Sequence, residues 1–196
     1  MCSNYESIEN CKDLNDRFDI QNLPSAPNKK NIRPTDIALI FDVDKKLQEL
    51  SWGIPLPWQD ENNTNVIINA RVETLAQKPS FQPILNGRCL VPATAWFEWR
   101  KVGSKKLKNR ISVKGEPLFT FAGLASNSHF TIITCEAVEN IAHINNRMPL
   151  VLTPDTENEW LDAQTPIEVI AKHLAPNLDC SLRFKEEKPA QSDLFT

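Results

Sequence analysis

Val66-Ile67-Ile68-Asn69-Ala70-Arg71-Val72-Glu73 alternates apolar and polar side chains with the two-residue period of a β-strand. Val66, Ile68, Ala70 and Val72 take one face, and Asn69, Arg71 and Glu73 take the other. The apolar row calls for a core to lie against. The polar row sets an amide, a guanidinium and a carboxylate side by side, although a surface strand with a solvated outer face has the same pattern.

On either side of this strand the chain is rich in short extended segments. Upstream, Ile37–Phe41 is a buried-strand run, and Leu50–Pro55 is a second one ended by proline, with Gly53 marking a shaped loop. Residues 3–30 are polar, carry Pro24 and Pro27, and lack a period, so mostly loop is expected there. Downstream, Thr74 to Leu85 favours a helix or broken helix ending at Asn86-Gly87. Cys89–Arg100 then returns to an extended pattern with Trp96-Phe97-Glu98-Trp99 at its centre. Gly103-Ser104 makes a turn in a hairpin whose five basic residues between Lys101 and Arg110 fit a solvated surface better than a nucleic-acid patch. Strands follow at Leu118–Ala122, Phe130–Thr134 and Met148–Leu152, with a helical turn over Glu139–Asn145. Thr153 and Thr165 each precede a proline and read as helix caps, with Ile167, Ile170, Ala171 and Leu174 supplying an apolar helix face. Cys180–Phe184 fits a last strand.

At 196 residues and 41% hydrophobic content the chain can build one substantial core. A domain over residues 1–184 and a flexible tail over 185–196 are expected. No apolar run approaches the ~20 residues of a membrane span, and the first residues are polar where a signal peptide would be basic and then apolar, so a cytoplasmic protein is expected. Five cysteines without C-x-x-C spacing argue against a disulfide framework and against structural zinc. A net charge of −3 disfavours wrapping a long nucleic acid, so any such contact must be local. Glycine-rich phosphate loops, H-E-x-x-H pairs and G-x-S-x-G elbows are absent from the sequence, and no metal or cofactor is expected.

The chemistry-bearing residues lie outside those patterns. Methionine followed by a small residue is the pattern from which the initiator is trimmed, and trimming would leave Cys2 as a 1,2-aminothiol. With a terminal amine near pKa ~8 and a thiol near ~8.5, both nucleophiles are expected to keep a usable deprotonated fraction at neutral pH. Such a pair suits an aldehyde: the amine forms a Schiff base, and the thiolate closes on the imine carbon as a thiazolidine. Glu98 among aromatic residues should have its ionised form disfavoured by desolvation, which suits a general acid or base. A glutamate at a strand edge, partnered by a lysine or arginine, reads equally well from the residues alone.

Met1-Cys2, Asn69–Thr74, Arg88–Pro92, Trp96–Trp99 and Arg147–Leu152, in that order and spacing, resemble the SRAP family of SOS response-associated peptidase-like, abasic-site crosslinking proteins. The resemblance spans roughly residues 1–175 and implies an α+β single domain. It would be built on a curved, barrel-like, mainly antiparallel sheet flanked by short helices. It further implies a monomer that senses abasic sites in single-stranded DNA and crosslinks to them through Cys2, with lyase and autoproteolytic (peptidase-like) activities. On this resemblance Asn69 orients the reacting terminus or sugar, and Glu98 shuttles the proton. Arg71 contacts phosphate, with Arg33, Lys78, Trp99 and Arg147 as further DNA-binding residues. The sequence departs from the family at Ser3-Asn4, where Gly-Arg usually follows the cysteine. It departs again at Asn145, where a histidine commonly stands; His143 lies two residues earlier and, on regular strand geometry, would share its face.

The tail ends Gln191-Ser192-Asp193-Leu194-Phe195-Thr196. Its Gln191, Leu194 and Phe195 resemble the peptide by which bacterial proteins bind the sliding clamp. Two other functions compete with crosslinking: a cysteine-type peptidase using Cys2, and a non-catalytic single-stranded DNA binder or clamp adaptor. No histidine is assured in a position to activate the thiol, which weighs against the peptidase.

Overall fold

The protein is described here by a computed structural model that covers residues 2–8, 11–18, 20, 30–56, 65–167, 169, 170 and 182–187. In chain order the early elements are β1 (Tyr5–Glu6), α1 (Cys11–Phe18), β2 (Asn31–Ile32), β3 (Ile37–Phe41), β4 (Leu47–Trp52), β5 (Ile54–Pro55), β6 (Val66–Ile67) and β7 (Asn69–Arg71). Two 3-10 turns, Leu75–Gln77 and Gln82–Ile84, lead to the long strands β8 (Arg88–Ala93), β9 (Ala95–Val102), β10 (Lys105–Val113), β11 (Phe119–Ser126) and β12 (His129–Glu136). Then come α2 (Glu139–Ala142), β13 (Arg147–Pro149), β14 (Val151–Leu152), α3 (Pro154–Leu161) and β15 (Leu182–Glu186).

β12, β4, β3, β8 and β11 pair in that order, and β11 pairs back onto β12, so five strands close into a barrel with no free edge. The β12–β4 pairing is parallel and the other four are antiparallel. Beside the barrel lies a five-stranded sheet in the order β15-β10-β9-β1-β2. The core fills the space between them. Tyr5 and Trp96 come from the open sheet and meet Trp52, Phe119 and Phe121 of the barrel, with ring centroids 5.3–6.1 Å apart and mostly edge-to-face. All five side chains are essentially buried. Burying each contributes on the order of 2–3 kcal/mol from area alone. This ties the first strand of the chain to the barrel.

β7 extends β12 in parallel, with Asn69, Ala70 and Arg71 opposite Ile132, Ile133 and Thr134. β4 occupies the preceding part of the same edge, so the chain must leave and return between Trp52 and Asn69. Gly53 makes that exit at φ 125°, where a Cβ would stand 2.5 Å from Val66 Cγ2. α3 starts at Thr153, whose N–H donates to the Thr156 hydroxyl at 2.8 Å. At its other end the buried Arg88 guanidinium donates to the carbonyls of Trp160, Asp162 and Thr165.

The expected α+β architecture with a curved, barrel-like sheet and short helices is the observed one. Several local readings differ. The N-terminal stretch expected to be loop contains β1 and α1. β1 is two residues long, and its hydrogen bonds come from β2 and β9, so nothing local in the sequence marks it. The single strand expected over Val66–Glu73 is broken at Ile68, because β6 pairs with β5 while β7 pairs with β12. The alternation survives from Ala70 to Glu73: Ala70 and Val72 are buried, while Arg71 and Glu73 are exposed. The final strand runs to Glu186, two residues past Phe184. Ile167 and Ile170 are buried as expected of a helix face, whereas Ala171, Leu174 and the tail residues Gln191, Leu194 and Phe195 fall outside the described residues. Among the described residues no helix is long and apolar enough to cross a membrane.

Candidate active site

The amino-terminal stretch is held along the edge of β9. Tyr5 and Glu6 pair with Trp96 and Ala95, and the Phe97 N–H donates to the Asn4 carbonyl at 3.0 Å. That pairing carries Cys2 and Ser3 toward Glu98. On the other side Asn69 of β7 donates its Nδ2–H to the Cys2 carbonyl at 2.7 Å. Cys2 is fully buried, and its Sγ–H points to the Asn4 carbonyl at 3.6 Å. Two strands that belong to different sheets thus fix one residue.

Glu98 is 2% exposed on β9 and accepts a hydrogen bond from Asn145 Nδ2 at 2.8 Å. The Asn145 Oδ1 in turn accepts from the Arg147 N–H at 3.0 Å, which fixes which end of the amide faces the carboxylate. Burial pushes the Glu98 carboxyl above its ordinary range, opposed by the positive amino terminus and the Asn145 amide. Burial also pushes the Cys2 thiol far above its ordinary value, and the negative charge of Glu98 adds to the shift. The expectation of a readily ionised thiol is therefore corrected: burial disfavours the thiolate in the folded protein, so sulfur attack calls for a neighbour to take the proton. Glu98 is a buried carboxylate whose charge is felt at that thiol.

A cleft of about 410 Å³ opens over this group, lined by Ser3, Glu98, Trp99, Lys101, Lys106 and Asn145. A second, of about 400 Å³, is lined by Arg71, Glu136, Ala137, Ala142, Asn146 and Arg147. Arg71 is exposed there, while Arg147 forks onto Glu73 at 2.7 and 3.0 Å and donates to the Thr134 carbonyl at 2.8 Å. Arginine side chains on β7 and β13 therefore flank one hollow. The hydrogen bonds from Arg147 hold the Glu73 carboxyl below its usual range against the opposing effect of burial.

Of the residues singled out in the sequence, Cys2, Asn69, Glu98 and Asn145 converge, Trp99 lines their cleft, and Arg71 and Arg147 line the second. Arg33 and Lys78 are exposed but do not line either cleft. His143 is an exposed residue at the C-cap of α2 with helical dihedrals, and its ring packs edge-on against Phe184 of β15 with centroids 5.1 Å apart. The shared face expected for residues 143 and 145 does not exist, because positions two apart in helical geometry diverge. Sequence reasoning missed Asn4, whose carbonyl receives both the Cys2 thiol and the Phe97 N–H, and Glu73 as the anchor of Arg147. Backbone acceptors leave no sequence signal. Glu73 stood in the polar row but was not linked to a residue 74 positions away. Among the described residues no three His, Cys, Asp or Glu side chains cluster as metal ligands, and Cys2, Cys89 and Cys135 are free thiols.

A barrel with an appended sheet, holding a second-residue cysteine beside a buried glutamate, defines a class of protein. The chain belongs to the SOS response associated peptidase (SRAP) family, whose profile matches residues 1–186. It is 37% identical over 180 residues to the abasic site processing protein YoaM of Bacillus subtilis (strain 168), covering 83% of this chain and 79% of that one. To the abasic site processing protein YedK of Escherichia coli (strain K12) it is 34% identical over 156 residues, covering 73% and 68%. A crystal structure of a protein from Bacteroides thetaiotaomicron superposes with a TM-score of 0.83 at 27% identity, over 95% of this chain and 92% of that one.

Proposed function

We propose that this protein processes abasic sites in single-stranded DNA by linking itself covalently to the opened sugar through Cys2, once Met1 is removed. The observation that carries the proposal is the convergence on Cys2. Asn69 grips its carbonyl, and Glu98 is close enough for its charge to act on the thiol. The names of the related proteins supply the lesion.

The chemistry balances without a cofactor. The Cys2 amine adds to the sugar aldehyde, and the carbinolamine loses water to give an imine. Sulfur then adds to the imine carbon while its proton passes, through Glu98, to the nitrogen. One C–N and one C–S bond form, and one water leaves. Asn145 steadies Glu98 in this scheme. Arg71, with Arg147 beside it, holds a neighbouring phosphate. A separate role belongs to the tail, where Gln191, Leu194 and Phe195 dock in the sliding clamp and concentrate the protein at replicating DNA.

Incubation of the mature protein with single-stranded DNA carrying one abasic site should give a heat-stable band whose mass is the sum of both partners less one water. Cys2→Ala should abolish it and Cys2→Ser should weaken it, because a hydroxyl closes the five-membered ring poorly. Full crosslinking by protein shown by mass spectrometry to retain Met1 would overturn the mechanism.

A further inference from the structure

β9 and β10 form a hairpin in which Lys101 and Lys106 are direct cross-strand partners. Like charges directly opposite one another destabilise an antiparallel pair. Of the hairpin's other cations, Lys105 beside the turn also has no carboxylate partner among the described residues but does not line the cleft, and the remaining three are compensated. Arg100 pairs with Glu186 at 2.6 Å, Arg110 with Glu6 at 2.5 Å, and Lys108 with Glu187 at 2.8 Å, while Lys108 also lies over the Phe97 ring at 3.7 Å. Lys101 and Lys106 are both exposed and have no carboxylate partner among the described residues. Both also line the cleft that contains Glu98, Trp99, Ser3 and Asn145.

Resting on the function proposed above, we infer that Lys101 and Lys106 form a phosphate-binding subsite for single-stranded DNA, seating the backbone next to the nucleotide held at Glu98. Trp99 lies two residues before Lys101 on the same face of β9 and lines the same cleft, so it offers a base-stacking surface beside the two ammonium groups. A phosphodiester fits this place because two ammonium groups with no ion-pair partner among the described residues attract an anion. The chain's overall charge of −3 also leaves local pairs like this one to supply the field. The hairpin thus gives a second phosphate contact, separate from the hollow lined by Arg71 and Arg147.

The test measures binding of the full-length mature protein to an intact single-stranded oligonucleotide by fluorescence anisotropy across a salt series. Each phosphate contact adds roughly 0.7 to the slope of log affinity against log salt, so removing two should lower it by about 1.4. The affinity loss between about 50 and 200 mM salt should then shrink roughly sevenfold in the Lys101→Ala/Lys106→Ala double variant. Lys101→Arg/Lys106→Arg should retain the original slope. Lys46→Ala/Lys114→Ala, which removes the same charge at exposed positions outside the cleft, should also retain it. A double alanine variant with the wild-type slope, or a control that loses as much, overturns the inference. Crosslinking assayed in parallel separates the two readings. Protein that never crosslinks to abasic DNA yet shows the lysine-dependent slope refutes the proposed function and keeps the subsite. Protein that crosslinks while the double variant keeps its slope refutes the subsite alone.

Discussion

Asn69→Leu removes the side-chain donor that fixes the Cys2 carbonyl while preserving approximate side-chain volume. The wild-type contact is a 2.7 Å bond from Nδ2 in a part-buried setting. Losing such a bond costs about 1 kcal/mol, and leaving the carbonyl without its donor costs about 1–3 kcal/mol more. Against this, the Asn69 Oδ1 is buried with no hydrogen-bond partner among the described residues, and removing it recovers part of its desolvation penalty. The two contributions act on different quantities. Global stability should fall by only about 1 kcal/mol, because the relieved oxygen offsets the lost donor. The terminus, however, loses its anchor, and about 1.4–2 kcal/mol against the docked geometry slows crosslinking by roughly 10- to 30-fold. The assay is single-turnover crosslinking at saturating abasic-site DNA, with urea denaturation run alongside and anisotropy measuring affinity for intact DNA. Affinity should change less than twofold. An unchanged crosslinking rate refutes the reasoning outright, and an equal fall in rate and affinity shows that Asn69 grips DNA instead of the terminus.

Three further outcomes follow from the geometry. Because burial raises the Glu98 carboxyl, its ionised form, which takes the thiol proton, accumulates only above the usual carboxylate range; the crosslinking rate should rise with pH through a limb displaced upward, and a pH–rate profile of Glu98→Gln should lack that limb. Arg71→Ala should weaken binding to intact single-stranded DNA and reduce its salt slope by about 0.7, checked by anisotropy, with little change in crosslinking rate at saturation. Arg17 pairs with Glu157 at 2.5 Å, and Thr120 also donates to that carboxylate at 2.7 Å, so Arg17→Met should strand a buried charge and cost about 3 kcal/mol at neutral pH. Burial raises the Glu157 carboxyl despite Thr120 and Arg17, so in the variant the loss should shrink as pH falls and the carboxylate takes a proton; equal losses in urea melts at neutral and at acidic pH would count against this account.

Period-two alternation placed Ala70 and Val72 in the core and Arg71 and Glu73 outside, and the apolar runs at Ile37–Phe41 and Phe130–Thr134 became barrel strands. The Gly103-Ser104 turn and the Thr153-Pro154 helix start were also legible, because each depends on a few adjacent residues whose preferred geometry is local. Of the site, the sequence supplied the reactive types Cys2 and Glu98 and the family pattern that associates them. Which strands close the barrel, the break at Ile68 and the strand at Tyr5–Glu6 were not legible, since each is decided by a partner strand distant in sequence. The upward pKa shifts of Cys2 and Glu98 were likewise decided by packing: a pKa answers to burial and to neighbouring charge, and only the folded chain brings residue 2 against residues 69 and 98. The same holds for His143, which α2 turns onto Phe184, and for the facing Lys101 and Lys106, whose meaning appears only when the register of β9 and β10 sets them across the mouth of one cleft.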